Sequence, residues 1–385
     1  MSPSIVYISV WSFIMFLYSL GIVGFYEELP FEFLRIQLII FSFLLISEPL
    51  IAALLKIRRG QQHLKLAYQK IKLNQIVVFM KPLLVFMFIV DVIYSGGFPL
   101  IWILLGDGRS HVDFGMPTFH GLFHGLLLFF VTSSFLLYRL GVNERQQIVN
   151  IFFFFLYVVI VFNRGLTFVF FMQALFLYFI TGGKLGLSRF LKVSLMLMIG
   201  AYIFGELGNL RSGSNVFLNA LSTEGNNIFD YAPASLVWFY VYATGGLNNL
   251  LFNIGTLEPS YYPVYTFAKL IPTVGYDLLG LEKAYDSFEL ADGRLTVSTA
   301  FQGLVSDFGL YGIFLYLPIL VGAQIAYRRS RLLSIKAMLL YSMLMQTIVM
   351  TPYIDTVFYL TFMLQLMLVF SVSFKYSRRE HPPLS

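Results

Sequence analysis

The sequence predicts an all-α integral membrane protein, one polytopic domain over residues 1–385 with about ten transmembrane helices. Three observations predict it. Apolar residues make up 58% of the chain and charged residues 12%, more apolar side chain than a soluble domain could cover. Apolar runs of bilayer-crossing length recur from end to end. Lys and Arg gather in every second gap between those runs.

A crossing needs roughly 20 mostly apolar residues, fewer where the ends tilt or snorkel. The expected spans are Ile5–Phe25, Ile36–Leu55, Ile76–Tyr94, Leu122–Tyr138, Ile148–Phe162, Leu166–Thr181, Leu191–Leu207, Gly309–Ala326, Ile335–Met350 and Val357–Phe374. The first run lacks a basic leader and a small-residue cleavage site, so it reads as a retained span. Basic residues follow the even-numbered spans: Lys56 to Lys72, Arg139 and Arg145, Lys184 to Lys192, Arg328 to Lys336, and Lys375 to Arg379. Simple alternation puts all of them on one side, the cytoplasm, together with both termini. The net charge of +6 is thereby used up in orientation, and no basic patch for nucleic acid remains. Cysteine is absent, which excludes a disulfide and a thiolate metal site.

Two external loops follow from this topology. The larger, about 208–308, contains Ala234–Phe252, expected as a helix in the outer interface with Trp238, Tyr240 and Tyr242 at headgroup level. The smaller, about 95–121, carries Gly-Gly and Pro positions around a short apolar stretch, the pattern of a re-entrant turn. On the cytoplasmic side, His63–Asn74 alternates Lys with apolar residues at helical spacing and is expected to lie flat on lipid.

The residues able to carry chemistry are few. Arg164 in VFNRGL, Arg211 in GELGNLRSG and Arg294 in ADGRLTVSTAFQG are external cations beside apolar spans. Such charges need a partner or a ligand, and guanidinium offers a planar donor fork suited to phosphate oxygens. Their alternatives are pairing with Glu206, Asp230 or Asp292, or snorkelling to lipid phosphate. Arg35 and Arg109 read as ordinary interface charges. His120 and His124, four apart, share a helix face; a metal pair, a general base and a packed histidine are the three readings, with His111 nearby. No HExxH pattern accompanies them. Glu27 and Glu28 form a solvated turn or a reserve acid pair, while Asp307 and Asp355 are helix caps or sugar-binding acids. Gln173 and Gln302 are candidates for interhelical hydrogen bonds. Tyr240 and Tyr242, with other loop aromatics, suit either sugar stacking or an aromatic belt. No nucleotide-binding fingerprint is present, which argues against an ATP-driven pump.

Four phrases in order along the chain carry a resemblance: FGMPTFHG with GGFPL upstream, VFNRGL, VWFYVYATGGLNNL, and STAFQGLVSDFGLYGIF. Together they resemble bacterial O-antigen and related oligosaccharide repeat-unit polymerases, the Wzy family. The resemblance implies a fold like that of the C-type glycosyltransferases and a metal-independent glycosyl transfer with no cofactor. The growing glycan on undecaprenyl pyrophosphate is passed to an incoming lipid-linked repeat unit, at the periplasmic face of the bacterial inner membrane. The implied partners are lipid-linked glycan donor and acceptor, membrane lipid, and a protein that regulates chain length. Arg164 and Arg211 are the positions matching the family's pyrophosphate-holding arginines, with Arg294 a third; Tyr240, Tyr242 and Asp307 are candidate substrate contacts by their own chemistry. Related ligases carry a histidine late in the large loop; here Thr296, Ser298 and Thr299 stand without one, leaving His120 as the candidate base. The neighbouring alternatives are an O-antigen ligase and a lipid-linked oligosaccharide flippase. Transporters show midplane charges and repeats, whereas Glu48 and Asp91 lie near span ends and no internal symmetry is visible.

Overall fold

The fold is described from a computed structural model covering residues 1–24, 26–55, 62–109, 113–184, 186, 202, 234–254, 258–271, 275, 276, 278, 289–291, 297–332 and 334–371. Every element of two or more residues among them is helical. In chain order these are α1 (Pro3–Ser19), α2 (Phe31–Leu54), α3 (Gln62–Ser95), α4 (Pro99–Leu105), α5 (Phe119–Arg139), α6 (Glu144–Val161) and α7 (Arg164–Ile180). After them come α8 (Ala234–Ile254), α9 (Val264–Phe267), α10 (Gln302–Phe308), a 3-10 turn over Leu310–Tyr316, α11 (Leu317–Ser330), α12 (Ile335–Met350) and α13 (Leu360–Ser371).

Two helices form the middle of the bundle. In α12, Ile335, Ala337, Met338, Leu339 and every residue from Tyr341 to Ile348 are buried, so no face is left outward. It packs against α1, α7, α11 and α13. The other, α5, is embraced by α3, α6, α7 and α13. Helices apolar on all sides can be stable only when wrapped by others. The wrapping helices turn apolar residues outward instead: Leu38, Ile46 and Leu50 of α2, Phe79, Phe86 and Ile93 of α3, Phe152 and Phe153 of α6. An apolar perimeter of that extent suits acyl chains and not water. The chain is therefore an α-helical protein with several helices fit to cross a membrane.

The count differs from ten. Among the described residues five helical stretches are long and apolar enough to cross: Phe31–Leu54, Leu66–Leu105, Phe119–Arg139, Glu144–Val161 and Leu310–Ser330. Four further apolar helices, Pro3–Ser19, Gly165–Ile180, Ile335–Met350 and Leu360–Ser371, are shorter. At 1.5 Å per residue a helix of that size ends before the edge of a 30 Å hydrocarbon layer. The expected span Leu191–Leu207 lies outside the described residues.

Two expected surface helices are also corrected. His63–Asn74 is not a separate element; it is the first part of α3, which continues without a break to Ser95. Gln69, Leu73, Val77, Met80, Leu84, Met87 and Asp91 are all buried at steps of three or four, one stripe running from 69 to 91 along the helix. Protein, and not lipid, takes that face. Likewise the second half of α8 has no face left for lipid: every residue from Ala243 to Leu251 is buried. Its Gly246 sits where a Cβ would lie 2.5 Å from the Pro352 carbonyl, so the loop after α12 crosses directly over it.

Polar side chains inside the bundle find one another. Gln173 of α7 and Gln365 of α13 exchange two amide hydrogen bonds of 3.2 and 2.9 Å, and Thr132 of α5 donates to Gln173 at 2.7 Å. Helices α5, α7 and α13 are thus tied where water cannot satisfy an amide. The two ends of the bundle differ in chemistry. At one end Lys70 donates to the Leu140 carbonyl, the Ile335 N–H donates to Gln69, and Tyr341 donates to the Met1 carbonyl. That end collects Arg139, Arg328, Arg329, Arg331 and Lys336. At the other end lie the starts of α5 and α7 and the ends of α3, α6 and α12.

Candidate functional site

At the end away from the basic loops, α3 and α5 bring a carboxylate and two imidazoles together. Asp91, four residues before α3 ends, is fully buried. A carboxylate has no proton to give, so the His120 Nδ1–H donates to Asp91 Oδ2 at 2.7 Å. The Met116 N–H donates to Asp91 Oδ1 at 3.0 Å. Both carboxylate oxygens are occupied, and the imidazole is held with Nδ1 on the acid and Nε2 on the opposite edge of the ring. Its side chain is 19% exposed.

Local sequence explains the approach. Gly115 has φ +97°, and a Cβ there would lie 2.4 Å from His120 Cγ and Nδ1. Only glycine lets the backbone lie on the ring while the next N–H reaches Asp91. The Gly115 N–H in turn donates to Ser95 Oγ at 2.8 Å, fastening the loop to the end of α3. On the next face of α5, Gly121 and Gly125 admit α13: a Cβ at Gly125 would meet the Thr361 carbonyl at 2.9 Å. Thr361 also donates to the Gly121 carbonyl at 3.3 Å. Histidines and glycines alternate in FHGLFHG so that one face carries the imidazoles and the adjacent one takes the neighbouring helix.

His124 extends the cluster one turn inward. Its ring centroid is 4.0 Å from that of His120, and its Nε2 shares a 2.8 Å hydrogen bond with the Tyr157 hydroxyl of α6. Phe88, Phe114 and Phe123 close around these rings at centroid distances of 5.2 to 6.3 Å. Aromatic walls exclude water and strengthen the hydrogen bonds inside them. The expected i, i+4 pair therefore does meet, with an acid behind one member and a phenol behind the other.

The small loop folds over this group. Trp102 of α4 is buried, and Arg109 lies over its ring at 4.2 Å. Arg109 Nη1 donates to the Ser95 carbonyl at 2.8 Å, and Nε and Nη2 donate to Asp107 at 3.0 and 2.5 Å. That contact holds the Asp107 carboxyl below the usual carboxylate range.

The remaining expected residues are distributed as follows. Arg164 is the first residue of α7, after a two-residue link in which Phe162 is left-handed (φ 57°) and Asn163 caps the helix by accepting from Leu166 N–H at 3.1 Å. It shares the bundle end of His120. Its side chain, like Arg211, Arg294 and His111, lies outside the described part of the structure. Tyr240 is buried against Ile22, Val23, Val237 and Val241 and donates to the Leu17 carbonyl at 3.0 Å; Tyr242 packs on the same cluster. Asp307 is fully buried and accepts from Ser260 Oγ (3.0 Å), Tyr265 N–H (3.0 Å) and Thr266 N–H (2.7 Å), which makes it the clasp between α10 and α9. Gln302 bonds Ser298 and Ser306 within its own neighbourhood. The backbone at Glu27 is pinned by Tyr18 and Asn248. Among the described residues no group of three or more His, Cys, Asp or Glu is placed to hold a metal ion.

Asp91 and Ser95 are the site members that sequence reading missed. Asp91 registers there only as a span-end charge, although an acid in VDVIYSGG, one turn before a glycine break, is unusual enough to have drawn notice. Compared with known proteins, the chain matches no family model, no curated protein and no solved structure.

Proposed function

We propose that this protein polymerises lipid-linked oligosaccharide repeat units at the outer face of a bacterial inner membrane. The observation that carries the reading is the Asp91–His120 pair, a base oriented by a buried acid at the bundle end away from the basic loops. In the proposed step an acceptor sugar hydroxyl attacks the anomeric carbon of the donor glycan. The bond from that carbon to the diphosphate oxygen breaks, and its electron pair leaves with the undecaprenyl diphosphate. The hydroxyl proton passes to His120 Nε2, and Asp91 stabilises the resulting imidazolium. Fixed cations lower the barrier by meeting the charge that develops on the leaving group. Arg164 is given that task with Arg211: a cation at the first position of α7 adds to the positive end of the helix, a place that attracts anions. No metal is needed for such a step. Arg294 is retained as a further anion contact. Tyr240 and Asp307, sealed among protein partners, act in this proposal by shaping the site and not by touching sugar.

The proposal takes the four shorter apolar helices as crossings as well, since α7 packs along α12 and α13 along α5. With the expected span over Leu191–Leu207 this gives ten crossings, cytoplasmic termini and a periplasmic site. The sequence phrases that resemble those of the Wzy-type polymerases support the same assignment.

The test is polymer formation by purified protein from a lipid-linked repeat unit. Arg164→Ala, Arg211→Ala and His120→Asn should each leave single repeat units while the protein still inserts. Full-length polymer from all three variants overturns the reading. Movement of the lipid-linked unit across a vesicle without elongation assigns a flippase instead, and transfer of finished polymer to lipid A-core assigns a ligase.

A further inference from the structure

Arg109 reads from sequence as an ordinary interface charge, and the structure gives it a more particular place. Its guanidinium is fixed by three neighbours: the face of buried Trp102, the Ser95 carbonyl, and Asp107. Ser95 connects it to the base. The carbonyl of that residue accepts from Arg109, and its hydroxyl accepts from Gly115 N–H, whose α-carbon rests on His120. The cation and the glycine packed against the imidazole are therefore held by the same residue. Yet Arg109 remains 40% exposed and Asp107 32%. An ion pair so open to solvent contributes little to stability. Stacking fixes the plane of the guanidinium, which favours an anion with two oxygens to present.

We propose that Arg109 binds the lipid-borne diphosphate of the substrate beside His120, and that Asp107 occupies the guanidinium until the ligand displaces it. The inference rests on the polymerase reading for its ligand class. It assigns a cation the resemblance does not supply, on the loop that covers the base. When diphosphate oxygens take the two N–H groups now given to Asp107, the guanidinium keeps its bond to Ser95 and its seat on Trp102. Asp107 acts as a competitor, setting the affinity low enough for product lipid to leave.

Adjacent substitutions then have opposite effects, which a structural ion pair does not produce. The probe is a polyprenyl diphosphate without sugar, titrated into the full chain in nanodiscs of phosphatidylcholine, with inorganic diphosphate as a second probe. Arg109→Ala should weaken binding of the lipid at least tenfold, and Asp107→Asn should tighten it by twofold or more. Arg109→Lys, which keeps the charge and loses the fork, should fall between wild type and Arg109→Ala. Unchanged affinity in Arg109→Ala, or equal weakening in both variants, overturns the inference and leaves the polymerase reading standing. Equal affinity for inorganic diphosphate overturns the lipid-borne assignment. No binding of the lipid by the wild-type protein overturns the polymerase reading and this inference together.

Discussion

Asp91 and His120 stand 29 residues apart in sequence and 2.7 Å apart in the fold. The pairing depends on a loop that leaves α3, turns through α4, and returns its own backbone N–H to the same carboxylate. Acid, loop and base are thus one unit. Asp91→Asn should keep that shape, since an amide oxygen can still accept from Met116 N–H. It removes the negative charge that supports an imidazolium, so elongation should fall by roughly 10²–10⁴-fold. The measurement is the initial rate of polymer formation beside the thermal unfolding midpoint in detergent. A rate within threefold of wild type, with unfolding unchanged, removes the acid from the mechanism.

Gly115→Ala attacks the same unit sterically. The added methyl meets the imidazole at 2.4 Å from a backbone at φ +97°, a conformation that alanine resists. His120 must move off Asp91 or the loop must lift from Ser95. Elongation should drop more than tenfold, with a loss of about 1–3 kcal/mol in stability, the usual range for overpacking. Wild-type elongation rates in this variant, in a chain that unfolds at the wild-type temperature, contradict the geometry.

How much of this was legible in the sequence depends on the range of the interaction. His120 and His124 are visible as a pair because helical periodicity alone puts them on one face. The link at VFNRGL is visible for the same local reason: two apolar runs leave only a few residues between them, and the fold uses Phe162 and Asn163 there. Asp91 is visible only as an acid near a span end; its pairing with His120 is not, because nothing local says that a loop returns over it. The surface-helix reading of 63–74 failed on a related point. Lys spacing marks an amphipathic helix, but Leu73, Val77 and Met80 show only in three dimensions that its apolar stripe continues into the next span. For α8, the aromatic residues suggested headgroup level, while Asn248, Asn249 and Asn253 gave the better clue. Asn249 accepts from Ala291 N–H and donates to the Val297 carbonyl, and Asn253 pairs with both backbone groups of Glu289. Buried amides used in this way belong to a helix covered by protein.

Asp307 was expected as a cap or as a sugar-binding acid, and its geometry allows a sharp test. Three donors converge on a carboxylate with no exposed surface. Asp307→Ala leaves the buried Thr266 N–H and the half-buried Tyr265 N–H without an acceptor, at a cost of about 1–3 kcal/mol for the buried donor, while the Ser260 hydroxyl keeps the Tyr262 carbonyl. The variant should unfold at a markedly lower temperature, and protease should cut within residues 258–271 before the rest of the bundle. A stable Asp307→Ala protein that has lost only activity returns the residue to the substrate.

Gln173 and Gln365 allow a double-mutant cycle inside the bundle. Gln173→Leu orphans the Gln365 amide and the Thr132 hydroxyl, Gln365→Leu orphans the Gln173 amide N–H while Thr132 keeps its acceptor, and the double change orphans the Thr132 hydroxyl alone. The coupling should be about 0.6–2 kcal/mol, the range found for interhelical hydrogen bonds in membranes. Additive unfolding free energies in detergent, with no coupling, place the two amides apart.

Asp355 supplies a pH dependence of definite sign. It lies in the loop between α12 and α13, where burial pushes its pKa up to about 6, against the Phe358 and Val357 N–H groups and nearby Lys269, which pull it down. A carboxyl raised on folding binds more protons folded than unfolded between its ordinary value of 3.8 and about 6. Its contribution to stability is therefore complete below that window and is lost as pH rises through it. Asp355→Asn keeps an oxygen for Val357 N–H at 2.8 Å and Phe358 N–H at 3.3 Å while removing the ionisation. Wild type and variant should be equally stable near pH 4, and the variant should be ahead at pH 7.5 by up to about 3 kcal/mol. Unfolding midpoints across that range read the difference directly. A variant less stable than wild type at pH 7.5 means that the ionised carboxylate is held by a cation, with Lys269 the one its position indicates.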